Sequence, residues 1–153
     1  MQTSVTGQTT AQASREFLKK QLMLAATGGT AFWITDFVMS VSPIASAYKA
    51  AFSISSLPVA LVEALAGGLV IAFCVSFVLL CFFDRIPGKN FIYKALTLSF
   101  SAMAIIEVLS ALANPAHAFV YLVLDTGMNI PRFLTLGLVI GYVFDRQNRK
   151  VQL

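Results

Sequence analysis

Charge is scarce in this chain. Lys and Arg number 11, Asp and Glu number 7, and charged residues make up 12% of the 153 positions. A water-soluble domain carries about 25%. With 58% hydrophobic residues and a mean hydropathy of +0.78, such a chain would aggregate in water, so a lipid bilayer is its expected solvent and first partner. Histidine and cysteine are scarcer still: His117, Cys74 and Cys81 are all there is. That excludes a His/Cys metal site or a bis-histidine haem built from one chain. Cys74 and Cys81 lie two helical turns apart in one apolar run, too far for a disulfide within a helix. They read as small buried apolar side chains. The formal charge of +4 comes without a basic stripe interleaved with aromatics, so nucleic acid is not an expected partner.

Catalytic signatures are missing too. The chain holds no G-x-S-x-G, no phosphate-binding loop, no G-x-G-x-x-G and no Glu-x-x-His pair. Asp125-Thr126-Gly127 spells the Asp-Thr-Gly of retropepsin-like aspartic proteases. That motif works as two copies sharing a proton, whereas here one copy falls inside an apolar helical run. The expectation is a protein that is not an enzyme, with no cofactor and no metal.

What is present is long apolar runs. Four spans are expected, at about 21–41, 59–83, 91–113 and 119–144. Residues 1–20 read as a flexible cytoplasmic tail, since 1–14 are rich in Ser, Thr and Gln without side-chain charge, and 145–153 as a short basic cytoplasmic tail. Ala45-Ser46-Ala47 imitates a signal-peptide cleavage site. The run before it is longer than a signal core and contains Asp36, so it reads as a retained span. Pro43 and Pro58 bracket a Ser/Ala-rich linker with Tyr48, Lys49 and Phe52, suited to a short interfacial helix. Asp84 to Asn90, with Pro87-Gly88 at its centre, is a turn. A tight connection around His117 makes the last two spans a hairpin. The expected fold is all-α: an integral-membrane four-helix bundle.

Orientation follows from the basic residues beside the spans. Arg15, Lys19, Lys20, Arg85, Lys89, Lys94, Arg146, Arg149 and Lys150 fall on one side, and Lys49 alone on the other. Both termini are therefore expected in the cytoplasm, in a bacterial-type inner (plasma) membrane. A weak duplication accompanies this: Gly68-Leu69-Val70-Ile71 recurs as Gly137-Leu138-Val139-Ile140, and Phe83-Asp84-Arg85 as Phe144-Asp145-Arg146.

Small residues mark the packing faces. Ala60, Ala64, Gly68, Ala72 and Ser76 recur every fourth position, and Gly137-x-x-x-Gly141 sits in the last span. In lipid, small residues let helix backbones approach. The stripe has two uses: packing within the chain, or an interface in a homo-oligomer or larger membrane complex.

Each span also holds an acid: Asp36, Glu63, Glu107 and Asp125. At about 1.5 Å rise per residue all four fall in the outer half of the bilayer, Glu63 shallowest. Asp125, Asn129 and Arg132 share one face of the last span, where Pro131 removes a backbone hydrogen bond. A charge near the membrane centre costs several kcal/mol, so Arg132 requires an acid partner, Asp36 or Glu107, from across the bundle. The leading expectation is a non-enzymatic, bundle-forming subunit or oligomer held by this intramembrane network. The alternative is a small proton or ion channel or transporter using the same acids. A third reading is a lipid- or small-ligand-binding membrane protein.

Overall fold

A computed structural model describes residues 3–43, 45, 57–113, 115 and 118–151. The expected interfacial helix around Tyr48 and Phe52, and the connection at His117, lie outside these residues. Among the described residues the architecture is helical throughout: α1 (Thr3–Ser40), α2 (Leu57–Cys81), α3 (Phe91–Ala113) and α4 (Ala118–Val151), with one 3-10 turn at Phe83–Arg85. Four stretches are long and apolar enough to cross a membrane: Gln12–Ser40, Pro58–Cys81, Phe91–Ala113 and Leu122–Arg149.

Helix α1 begins at Thr3, inside the segment read as a flexible tail, and α4 runs on to Val151 through the segment read as a C-terminal tail. The physical reason is in the residues between. Residues 8–20 contain no Gly or Pro, and Ala, Gln, Glu, Leu, Lys and Arg are good helix formers. Once a packed helix exists, each further residue adds a hydrogen bond without a new nucleus.

Consecutive helices are antiparallel, and the register can be read from the contacts. Between α1 and α2, Phe17 meets Phe77 edge-on, and Trp33 Nε1 donates to the Leu61 carbonyl at 3.0 Å. Between α3 and α4, Ile92 lies against Gly141 and Leu96 against Gly137. Between α1 and α4, Gly28 faces Ile140, and Phe32 meets Phe133 edge-on at 5.4 Å. The strongest seams are α3–α4, α1–α2 and α1–α4, and the α2–α3 seam is weaker. Helix α4 is thus gripped on two sides, and its buried residues Phe133, Leu136, Ile140 and Phe144 recur at helical spacing.

The small-residue positions mostly serve these seams. Gly68, Ala72 and Ser76 are buried, whereas Ala60 and Ala64 are only half-buried. A Cβ on Gly68 would meet the Phe32 ring at 2.8 Å, and one on Gly141 would lie 2.6 Å from the Ile92 Cα. The buried part of the stripe is occupied within the chain, so it offers no surface to a second copy.

The cysteines depart from expectation. Cys74 and Cys81 are free and exposed. Each lies two residues past a buried position, Ala72 or Leu79, and so points to the opposite side of a 3.6-residue helix.

At the α2–α3 turn Gly88 has φ +134, a region that favours glycine. Lys94 folds back onto this turn. Its Nζ donates to the Phe83 carbonyl at 2.6 Å and sits 3.8 Å from the Phe83 ring centroid. Phe83, Phe91 and Phe144 pack together here, with centroids 5.1 to 5.5 Å apart. The same end carries Arg85, Lys89, Arg146 and Arg149, and is called the basic end below.

Candidate functional site

A connected polar network begins at Arg132. Pro131 precedes it in α4 and cannot donate to the carbonyl of Gly127, one turn back. Helix α4 nevertheless passes Pro131 as helix. Thr135 Oγ1 donates to the Pro131 carbonyl at 2.8 Å.

From this position Arg132 reaches across the α1–α4 seam. Its Nη2 forms an ion pair with Asp36 Oδ1. Its Nη1 donates to Asn129 Oδ1 at 2.8 Å, and Asn129 Nδ2 donates to Glu107 Oε1 at 2.7 Å. Asp36, Asn129 and Glu107 are 6%, 7% and 5% exposed, and the Arg132 side chain 14%. One hydrogen-bonded chain, Asp36–Arg132–Asn129–Glu107, therefore joins α1, α4 and α3 in the interior. Asn129 is the link, its carbonyl oxygen accepting a hydrogen bond from the guanidinium and its amide donating one to the carboxylate.

The other two acids are placed differently. Asp125 is half-buried on α4, one turn before Asn129. Glu63 is exposed on α2 and is not brought to the network. It lies about 9 Å along α2 from Leu57, shallow enough for its carboxylate to reach the helix end.

The electrostatics follow from the pairing. Arg132 is the cation of the chain and pairs directly with Asp36, whereas Glu107 meets the neutral Asn129 amide. The Arg132 Nε has no hydrogen-bond partner. Among the described residues, no three His, Cys, Asp or Glu side chains gather as a metal-ion group would require.

Sequence reasoning missed a second polar line. Ser99 is fully buried and its Oγ donates to the Phe133 carbonyl at 2.5 Å, pinning α3 to α4 next to Arg132. The signal was available: Ala95, Ser99, Met103 and Glu107 recur every fourth residue on α3. Gln21, read only as the start of a span, is 2% exposed.

Two clefts lie at the basic end, away from this network. One of about 380 Å³ is lined by Met23, Thr27, Tyr142, Val143, Arg146 and Gln147. Another of about 300 Å³, across α4, is lined by Lys89, Asn90, Phe91, Ile92, Asp145 and Arg149. No protein-family model, no curated protein and no solved structure matches this chain.

Proposed function

We propose that this is a small, non-enzymatic integral membrane protein, a four-span bundle whose Asp36–Arg132–Asn129–Glu107 chain is a structural interlock. The observation that carries the reading is the direct pairing of Arg132 with Asp36, continued through Asn129 to Glu107, with all four side chains withdrawn from the surface. In lipid, apolar helices gain nothing by hiding from their surroundings, so association relies on close packing and interhelical hydrogen bonds. A polar chain tying three helices in one register supplies that where α1, α3 and α4 meet.

The basic residues gathered at one end support a cytoplasmic location for that end and both termini. A bacterial-type inner membrane suits this bias. The bundle would act as a subunit of a homo-oligomer or larger membrane complex. Since the buried small residues are already used, a partner would meet the exposed apolar faces of α2 and α3.

The alternative is proton or ion conduction, and a buried Glu107 bonded to a neutral amide, with no cation in direct contact, is the observation in its favour. Proton flux into vesicles reconstituted with the purified chain separates the two readings. The interlock reading expects flux equal to that of protein-free vesicles, for the wild type and for Glu107→Gln alike. Flux in the wild type that Glu107→Gln abolishes would replace the interlock with the conduction reading.

A further inference from the structure

The larger cleft at the basic end sets a cation beside apolar walls, and the interlock does not use it. It lies on the α1–α4 seam. Met23 and Val143 give it apolar walls, and Tyr142, 57% exposed, contributes an amphipathic ring. Arg146 follows the Phe144 aromatic cluster by two residues, about 3 Å further along the axis. Thr27 has committed its hydroxyl to its own helix, donating to the Met23 carbonyl at 2.8 Å, so it turns no free hydroxyl to the cleft.

The lining of the neighbouring cleft has the same formal charge, Lys89 and Arg149 against Asp145, but only the larger cleft is lined by a cation without a carboxylate. Asp145, next to Arg146 in sequence, lines the cleft across α4 and is engaged there by Arg149 at 2.9 Å. Among the described residues no carboxylate pairs with Arg146. An anion in the smaller cleft would meet the Asp145 carboxylate. In the larger one it meets only the guanidinium and neutral groups.

We propose that the α1–α4 cleft binds an anionic phospholipid of the leaflet at the basic end. The phosphodiester lies at the Arg146 guanidinium, and an acyl chain runs along Met23 and Val143. The walls set a headgroup site beside an apolar one: Arg146 supplies the cation, Met23 and Val143 lie within a turn of it, and Tyr142, a ring of the kind that collects at membrane interfaces, lies one turn deeper than Arg146. The volume is in the range of small-ligand sites, about 300–1,000 Å³. Basic pockets between membrane helices on the cytoplasmic side are suited to anionic headgroups, because that leaflet is negatively charged.

The inference rests on the membrane reading above, which resistance of the chain to carbonate extraction from membranes reports by itself. The test is thermal unfolding of the purified full chain in neutral detergent, with phosphatidylglycerol or phosphatidylcholine added. Phosphatidylglycerol is expected to raise the midpoint by about 2–4 °C more than phosphatidylcholine, the shift of a modest stabilising ligand for a chain of this size. Arg146→Gln is expected to lose that difference, and Arg149→Gln to keep it. Met23→Trp, which fills the cleft and leaves every charge in place, is also expected to lose it, and tests the cleft should Arg146→Gln fail to fold. Inorganic phosphate is expected to give no shift. Equal loss in Arg146→Gln and Arg149→Gln, retention in Met23→Trp, or a phosphate shift as large as the lipid's would each overturn the proposal.

Discussion

Asn129 decides how far the charge of Arg132 is shared. Its side chain both accepts and donates, which neither an ionised Asp nor a Leu can do in its place. Asn129→Leu should leave Glu107 without its amide donor and Arg132 with one partner, costing about 1–3 kcal/mol, the usual penalty for a stranded buried polar group. Chemical unfolding in detergent micelles checks this, and a loss indistinguishable from zero would mean that the link is idle. The presence of an acid partner for Arg132 was legible in the sequence, because a buried guanidinium without one is too costly. The route was not. Spacing along one helix placed Asn129 between Asp125 and Arg132, whereas the fold turns the amide toward Glu107 on α3. A one-dimensional pattern gives the face of a helix but not which neighbour fills it. Glu63 shows the same limit, since an acid in an apolar run looks alike whether it turns inward or outward.

At the scale of elements, the helices and their approximate ends were readable from the apolar runs and from Pro87-Gly88, because lipid-spanning length is a hard constraint. The extension of α1 to Thr3 was not, since polar helix formers without an apolar period look the same as a coil. Glycine chemistry was readable only in part. Gly67 and Gly68 are neighbours, yet a Cβ on Gly68 would meet the Phe32 ring, whereas one on Gly67 would meet nothing within 4 Å. Two opposite outcomes follow. Gly141→Ala should force α3 and α4 apart at Ile92 and destabilise by about 1–3 kcal/mol, as overpacking does. Gly67→Ala should be neutral or stabilise by up to about 1 kcal/mol, since glycine inside a helix is entropically unfavourable. Thermal melts of the two variants side by side check both, and a costly Gly67→Ala would point to a partner on that face.

Across the whole molecule, charge and polarity are segregated along the bundle axis. The basic end gathers arginines, lysines and a cluster of phenylalanines, and the acid network lies about 18 Å away, from Phe144 to Arg132. That segregation predicts topology. A reporter active only in the cytoplasm should report when fused to either terminus, and moving basic residues from Arg85 and Lys89 to the opposite loops should weaken the preference. An inactive C-terminal fusion in the otherwise native chain would contradict the assigned orientation. Whether the chain works alone was not legible, because a lipid-facing surface and a partner-facing one are both apolar, as the exposed Cys74 and Cys81 show.

The central claim is that Asp36 and Arg132 act as one unit that locks the bundle. A double-mutant cycle on unfolding free energy measures this most directly, using Asp36→Leu, Arg132→Leu and the double variant in the same micelles. Each single change should cost about 3–5 kcal/mol, because it strands a buried charge, and the double variant should cost far less than their sum. Additivity within about 0.5 kcal/mol would show that the two residues act independently, and would contradict the interlock.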